Sequence, residues 1–245
     1  MRLTRVHTDQ PLAPRSSVLL EGAAANHIRR VLRLAPGDAV TLFDGSGGEY
    51  EARIEGLRKD AVMVAVGPHR AVQRESPLAL TLVQGVSRGE RMDLVVQKAT
   101  ELGVRRIVPV LTERTVVRLD AAQADSRLRH WRAVAVGACE QCGRNIVPEV
   151  APPLALPQFL RAAAADDPRS ARVVLLPGGS LRVRDLDRVS GLTLLIGPEG
   201  GLAELEQRAA ADAGFRALSL GPRVLRTETA AIASLAAIQQ HLGDL

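Results

Sequence analysis

The 245-residue sequence is poor in lysine, aromatic rings and cysteine, and each shortage excludes something. Lysine occurs only at Lys59 and Lys98, so the other 30 of the 32 basic residues are arginine. The planar guanidinium fork suits phosphates and base edges. With a net charge of +5 the chain leans mildly toward polyanions, although an Ala- and Arg-heavy composition is equally what a GC-rich coding sequence produces. Only Phe43, Tyr50, Trp131, Phe159 and Phe215 are aromatic, too few for a base-stacking platform. Cys139 and Cys142 form a single CxxC. A zinc site needs two further ligands, and no second CxxC or paired histidine supplies them, so no metal is expected. No apolar run nears the ~20 residues that span a bilayer. The opening MRLTRVHTDQP carries charge with no apolar segment behind it. The reading is a cytoplasmic protein with no membrane partner. What remains is an ordinary globular composition, 46% hydrophobic and 24% charged, with room for one large domain or a small and a medium one.

The first part alternates short strand-like runs with turns, the rhythm of a small barrel: Val18–Leu20, Val40–Phe43, Tyr50–Ile54 and Val62–Val66. Between the first two lies HIRRVLRL (27–34), which predicts a short basic helix with Ile28, Val31 and Leu32 on one face. GPHRAVQRESP (67–77) reads as a linker. From Leu78 the period changes to strand, helix, strand, the pattern of a parallel sheet covered by helices. Strands are expected at 78–83, 106–110, 147–150, 173–176, 192–196 and 217–220, and helices at 90–102, 122–138 and 228–242, the last capped by Thr227 or Thr229.

The chemistry-bearing features sit where the last two strands end. LLIGPEGGL (194–202) stops an apolar run at Gly197-Pro198, and Gly200-Gly201 lead into a helix opening with Glu204 and Glu206. LSLGPRVLRTETA (218–230) stops a second strand at Gly221-Pro222 before a basic loop and the final helix. Ligands of open α/β sheets bind at such carboxyl ends, and glycine lets a ligand approach the backbone closely. Phosphate-loop patterns are absent, and Glu199 would repel a phosphate. A neutral or cationic ligand fits better. S-adenosylmethionine is one: its adenine takes backbone hydrogen bonds, and its sulfonium tolerates a carboxylate.

These two segments, with QKATELGVRRIVP (97–109), ACEQCGRNIVP (138–148) and HIRRVLRLAPGDAVTLFDGSGGEYEARI (27–54), resemble the ribosomal RNA small-subunit methyltransferase E family of the SPOUT superfamily over nearly the whole chain. The family pattern has a small residue after Glu-Gln, so Cys142 reads as a serine substitute. It has a second histidine where Asn26 stands. The resemblance implies a PUA-like RNA-binding β-barrel over residues 1–72 and an α/β SPOUT methyltransferase domain with a C-terminal trefoil knot over 73–245. It also implies a homodimer, S-adenosylmethionine as donor, and methylation of uridine N3 in 16S rRNA of the small ribosomal subunit. Carried over by position, the cofactor pocket comprises Leu176, Pro177, Ile196, Gly197, Pro198, Glu199, Gly200, Gly201, Leu218, Ser219, Leu220, Gly221, Val224 and Leu225.

Uridine N3 lies on the Watson–Crick edge and carries a proton, so the base must be splayed out and its anion stabilised. Arg226 and Arg223 are the candidates for that stabilisation. Glu228 or Glu199 could act as base, with positioning beside an oriented sulfonium as the rival account. Glu228 could equally complement the helix dipole. For holding RNA the candidates are Arg5, His27, Arg30, Arg33, Lys98, Arg114 and Arg144. The alternative within enzymes is a ribose 2′-O-methyltransferase of the same superfamily, and the alternative from another class is a non-catalytic RNA-binding or assembly factor.

Overall fold

The computed structural model describes residues 4–163 and 170–245. It divides into two units, one of residues 1–75 with 136–147, the other of residues 76–135 with 148–245. Segment 136–147 thus joins the first unit, which differs from a single cut near residue 72.

In the first unit β1 (Arg5–His7), β2 (Ser16–Glu21), β3 (Ala39–Phe43), β4 (Glu49–Leu57) and β5 (Ala61–Arg70) form a curled sheet in the order β1-β3-β4-β5-β2. Only the β1–β3 pair is parallel. Strand β4 shows the cause plainly: Tyr50, Ala52 and Ile54 are buried while Glu51, Arg53 and Glu55 alternate outward. Val6, Leu20, Ile28, Leu42, Val62 and Val64 complete the core. The predicted helix at 27–34 takes another form. A short α1 (Gly22–Asn26) passes into a π-helical turn, His27–Leu32, ended by Arg33 at φ 57°. Wider turns rotate the face relative to an α-helix, so Ile28 is buried but Val31 is 58% exposed.

Two arginines expected at an RNA surface are instead interior to this unit. Arg5 is 2% exposed. Its guanidinium donates to the Glu49 carboxylate, to Asn145 Oδ1 at 2.6 Å and to the Arg144 carbonyl at 3.0 Å, and it stacks 4.7 Å over the Phe43 ring. Arg144 is buried and donates from Nε to Glu75 at 2.9 Å. Buried charges must be paired, and these are. Burial raises the Glu49 carboxyl, but the Arg74 and Arg5 guanidinium groups outweigh it and the net pKa lies below the ordinary value. His27 Nδ1 lies 2.9 Å from Glu140 Oε2, within the same unit.

In the second unit the strands are β6 (Ala79–Gly85), β7 (Arg106–Leu111), β8 (Glu149–Val150), β9 (Leu154–Ala155), β10 (Ala171–Leu175), β11 (Gly191–Ile196) and β12 (Arg216–Leu218). All pair in parallel, in the order β12-β10-β11-β6-β7-β8 with β9 beside β7. Near-continuous apolar runs such as LTLLI suit strands covered on both faces. The helices are α2 (Glu90–Glu101), α3 (Ala121–Cys142), α4 (Leu156–Ala163), α5 (Glu204–Asp212) and α6 (Thr227–Leu242). Met92, Val95, Val96 and Ala99 bury the inner face of α2, and Leu235, Ile238 and Leu242 that of α6. The residue preceding α6 is Arg226, so neither Thr227 nor Thr229 caps the helix; the Thr227 hydroxyl is used elsewhere. Burial pushes the Cys139 thiol up to about 12, which keeps it protonated and unreactive at neutral pH.

Candidate active site

The chain reverses its direction of travel across the sheet at β11, which inserts between β10 and β6. The carboxyl ends of β10, β11 and β12 therefore open side by side. A cavity of about 320 Å³ lies there, within the range of small-molecule sites. It brings together every expected cofactor-pocket residue except Leu218, which is fully buried in β12. Leu175, Leu202, Gln207, Thr227, Ala230, Arg114 and Arg223 also line it. Thr227 could have been found from the sequence, as the first hydroxyl after the second glycine loop.

The first turn, 197–201, is tightly held. A Cβ on Gly197 would lie 2.9 Å from the Gly201 carbonyl carbon, and one on Gly85 would lie 2.4 Å from Pro198 N, so both positions require glycine. The Gly201 amide closes the turn onto the Pro198 carbonyl at 2.8 Å. Thr227 Oγ1 donates to the Gly197 carbonyl at 2.8 Å and accepts from Gln84 Nε2 at 2.9 Å. The Glu199 carboxylate accepts from the Arg88 amide at 3.0 Å and from Arg91 at 2.8 Å. Burial raises its pKa, but these partners prevail and hold it below the ordinary carboxylate value. Glu199 is thus a paired anion and not the base that the sequence allowed.

The second loop differs. Gly221 adopts φ +132° with open space around its α-carbon, and its amide is turned onto Ser219 Oγ at 3.2 Å. Val224 is 82% exposed. Arg223 lines both the main cavity and an adjoining pocket of about 280 Å³ formed with Leu220, Leu225 and Ala233. Arg226 is exposed. Among the described residues neither arginine side chain has a hydrogen-bond or ion-pair partner.

Other expected residues lie apart. Glu228 lines a separate groove with Glu90, Arg91, Asp93, Leu94, Gln97 and Val134, and not the glycine-turn cavity. Its Oε2 is buried with no hydrogen-bond partner among the described residues. Lys98 is bound to Glu101 on its own helix at 2.8 Å. Arg114 reaches the cavity rim and donates to the Gly200 carbonyl at 3.0 Å. Arg30 and Arg33 are exposed.

Two family models match: one described as RNA methyltransferase domain, over residues 74–239, and one described as RNA methyltransferase PUA domain, over residues 20–66. A ribosomal RNA small subunit methyltransferase E of Bacillus subtilis is 31% identical over 94% of this chain and 93% of its own length. A methyltransferase of Legionella pneumophila, solved in complex with the bound cofactor SAM, superposes with a TM-score of 0.95 at 41% identity over 100% of both chains. A ribosomal RNA small subunit methyltransferase E of Neisseria gonorrhoeae, solved bound to S-adenosyl methionine, gives a TM-score of 0.90 at 37% identity over 99% of both chains. With matches of this extent to both units, the chain belongs to the RNA methyltransferase domain family, alongside the ribosomal RNA small subunit methyltransferases E.

Proposed function

We propose that this chain transfers a methyl group from S-adenosylmethionine to N3 of a uridine in 16S rRNA of the small ribosomal subunit. The observation that carries the reading is the cavity at the ends of β10, β11 and β12: a cradle of bare backbone at Gly197, Gly200, Gly201 and Gly221 with no cationic phosphate clamp within the first turn. Relatives similar over nearly the full chain carry that activity class in their names, and two solved ones hold the cofactor. Its residues fit the group, since Gly197 leaves no room even for a Cβ and Glu199 places a negative charge at the turn.

When bound, S-adenosylmethionine supplies an electrophilic methyl on a sulfonium. The chain's own contribution is placement and charge. Leu176, Pro177, Ile196, Leu220 and Leu225 exclude water around the ligand. Arg223 and Arg226, uncommitted to any partner among the described residues, stabilise the uracil anion left when its N3 proton passes to solvent water before the base is seated. No carboxylate in the cavity is placed as base, because Glu199 is spent on Arg91 and Glu228 faces another groove. Positioning therefore carries much of the acceleration.

The first unit, with exposed Arg30 and Arg33, holds RNA, and Arg114 contacts it at the cavity rim. Homodimer assembly, a cytoplasmic location and the trefoil knot rest on the family resemblance and belong to the same proposal. No helix among the described residues is long and apolar enough to cross a membrane. The test is incubation with labelled S-adenosylmethionine and unmodified small subunits, followed by nucleoside analysis. Label in 3-methyluridine is the expected result, whereas label in a 2′-O-methylated nucleoside, or none, overturns it.

A further inference from the structure

Strand β6 reads ALTLVQG, and where its apolar run would continue it places Gln84, fully buried. Packing alone gives no reason for an amide there. Its Nε2 donates to Thr227 Oγ1 at 2.9 Å and to the Gly85 carbonyl at 3.0 Å, while its Oε1 is buried with no partner among the described residues. Leaving a buried oxygen unsatisfied destabilises the fold, so this side chain is retained against the interest of the core. Gln84 does not itself line the cofactor cavity.

The direction of the contacts is set by chemistry. A threonine hydroxyl has one proton to give, and here it goes to the Gly197 carbonyl at 2.8 Å. The hydroxyl must then accept from Gln84, which fixes the orientation of the amide; its second N–H goes to the Gly85 carbonyl, which also accepts from Ser87 Oγ at 3.3 Å. A relay results: Gln84 N–H to Thr227 O–H to Gly197 C=O. Gly197 has to be glycine because a Cβ would strike Gly201. The same residue is the loosest of backbones. Tying its carbonyl removes the rotation that glycine would otherwise allow at the floor of the cavity.

We infer that Gln84 is a positioning residue for the cofactor cavity, acting through the Thr227 hydroxyl to hold the Gly197 carbonyl in place. The inference rests on the reading of this cavity as the S-adenosylmethionine site. Gln84→Leu removes both donors at similar size, and two quantities report its effect: exchange of the Gly201 amide in the cofactor-free protein, and S-adenosylmethionine affinity by calorimetry. Exchange is expected to quicken about tenfold and affinity to weaken about tenfold, while the melting temperature stays within a few degrees. Thr227→Val should reproduce both changes, Thr227→Ser should recover most of the loss, and the double variant should be no worse than Thr227→Val alone. Unchanged exchange and affinity in a folded Gln84→Leu protein, or additive effects in the double variant, would overturn the inference. If Gln84→Leu fails to fold, a Thr227→Val protein that matches wild type in both measurements does the same. Absence of cofactor binding by the wild-type chain would remove the functional reading, while the exchange measurement still decides the role of Gln84.

Discussion

The two glycine loops at the cavity look alike in sequence and are built in opposite ways. In the first, Gly197 and Gly85 meet neighbouring backbone at distances no side chain tolerates, and Thr227, Arg88 and Arg91 hold the turn from two sides. In the second, Gly221 has open space around it, Val224 is exposed and two arginines are unpaired. A strand-Gly-Pro pattern therefore describes a turn and not its role. One loop is a braced floor, while the other is an open wall whose two arginines have no partner among the described residues and, under the proposed function, face the second substrate.

The comparison breaks if the floor tolerates bulk. Gly197→Val is expected to abolish S-adenosylmethionine binding, a loss of more than about 100-fold, because its side chain would enter Gly201; calorimetry on protein shown to be folded checks this, and normal binding would mean the cavity is misplaced. In the wall, Arg226→Ala should cut turnover about 100-fold with cofactor affinity held within about twofold, a split that steady-state methylation and calorimetry separate. Gly221→Ala meets no neighbour but forces a side chain into φ +132°, so a smaller loss of about threefold to tenfold in affinity is expected. The smallest effect is electrostatic. Because the Glu199 pKa is lowered on folding, its contribution is present above the ordinary carboxylate range and is lost as pH falls through the lowered value. Melting temperature should therefore fall as the pH drops below the ordinary carboxylate range, and less so in Glu199→Gln, whose amide cannot titrate.

Much of this was legible in the sequence because apolar periodicity and glycine punctuation are local signals. The α2 and α6 faces and the parallel strands follow from such patterns, whereas the fourteen expected pocket residues came from the family resemblance by position, thirteen of them lining the one cavity. What was not legible depends on contacts distant in sequence. Nothing near Arg5 signals that Asn145 and Glu49 will enclose it. Val31 was expected inward because an α-helix was assumed, and a π-helical turn sends it outward. Glu228 stands two residues after Arg226, yet the helix turns its carboxylate into another groove. Gln84 drew no notice, since a lone glutamine is informative only once its burial is known.

The Arg5 cluster also bears on how the chain is made. Arg5 and Glu49 are synthesised early, but the Asn145 oxygen and Arg144 carbonyl that finish enclosing the guanidinium arrive about 140 residues after Arg5. At a synthesis rate of roughly 5–20 residues per second, strand β1 waits roughly 7–28 seconds for its last partners. The strand that carries Arg5 is thus among the later parts of its unit to be completed. A ribosome stalled before residue 136 would display a sheet whose edge-strand cation, Arg5, still lacks two of its acceptors.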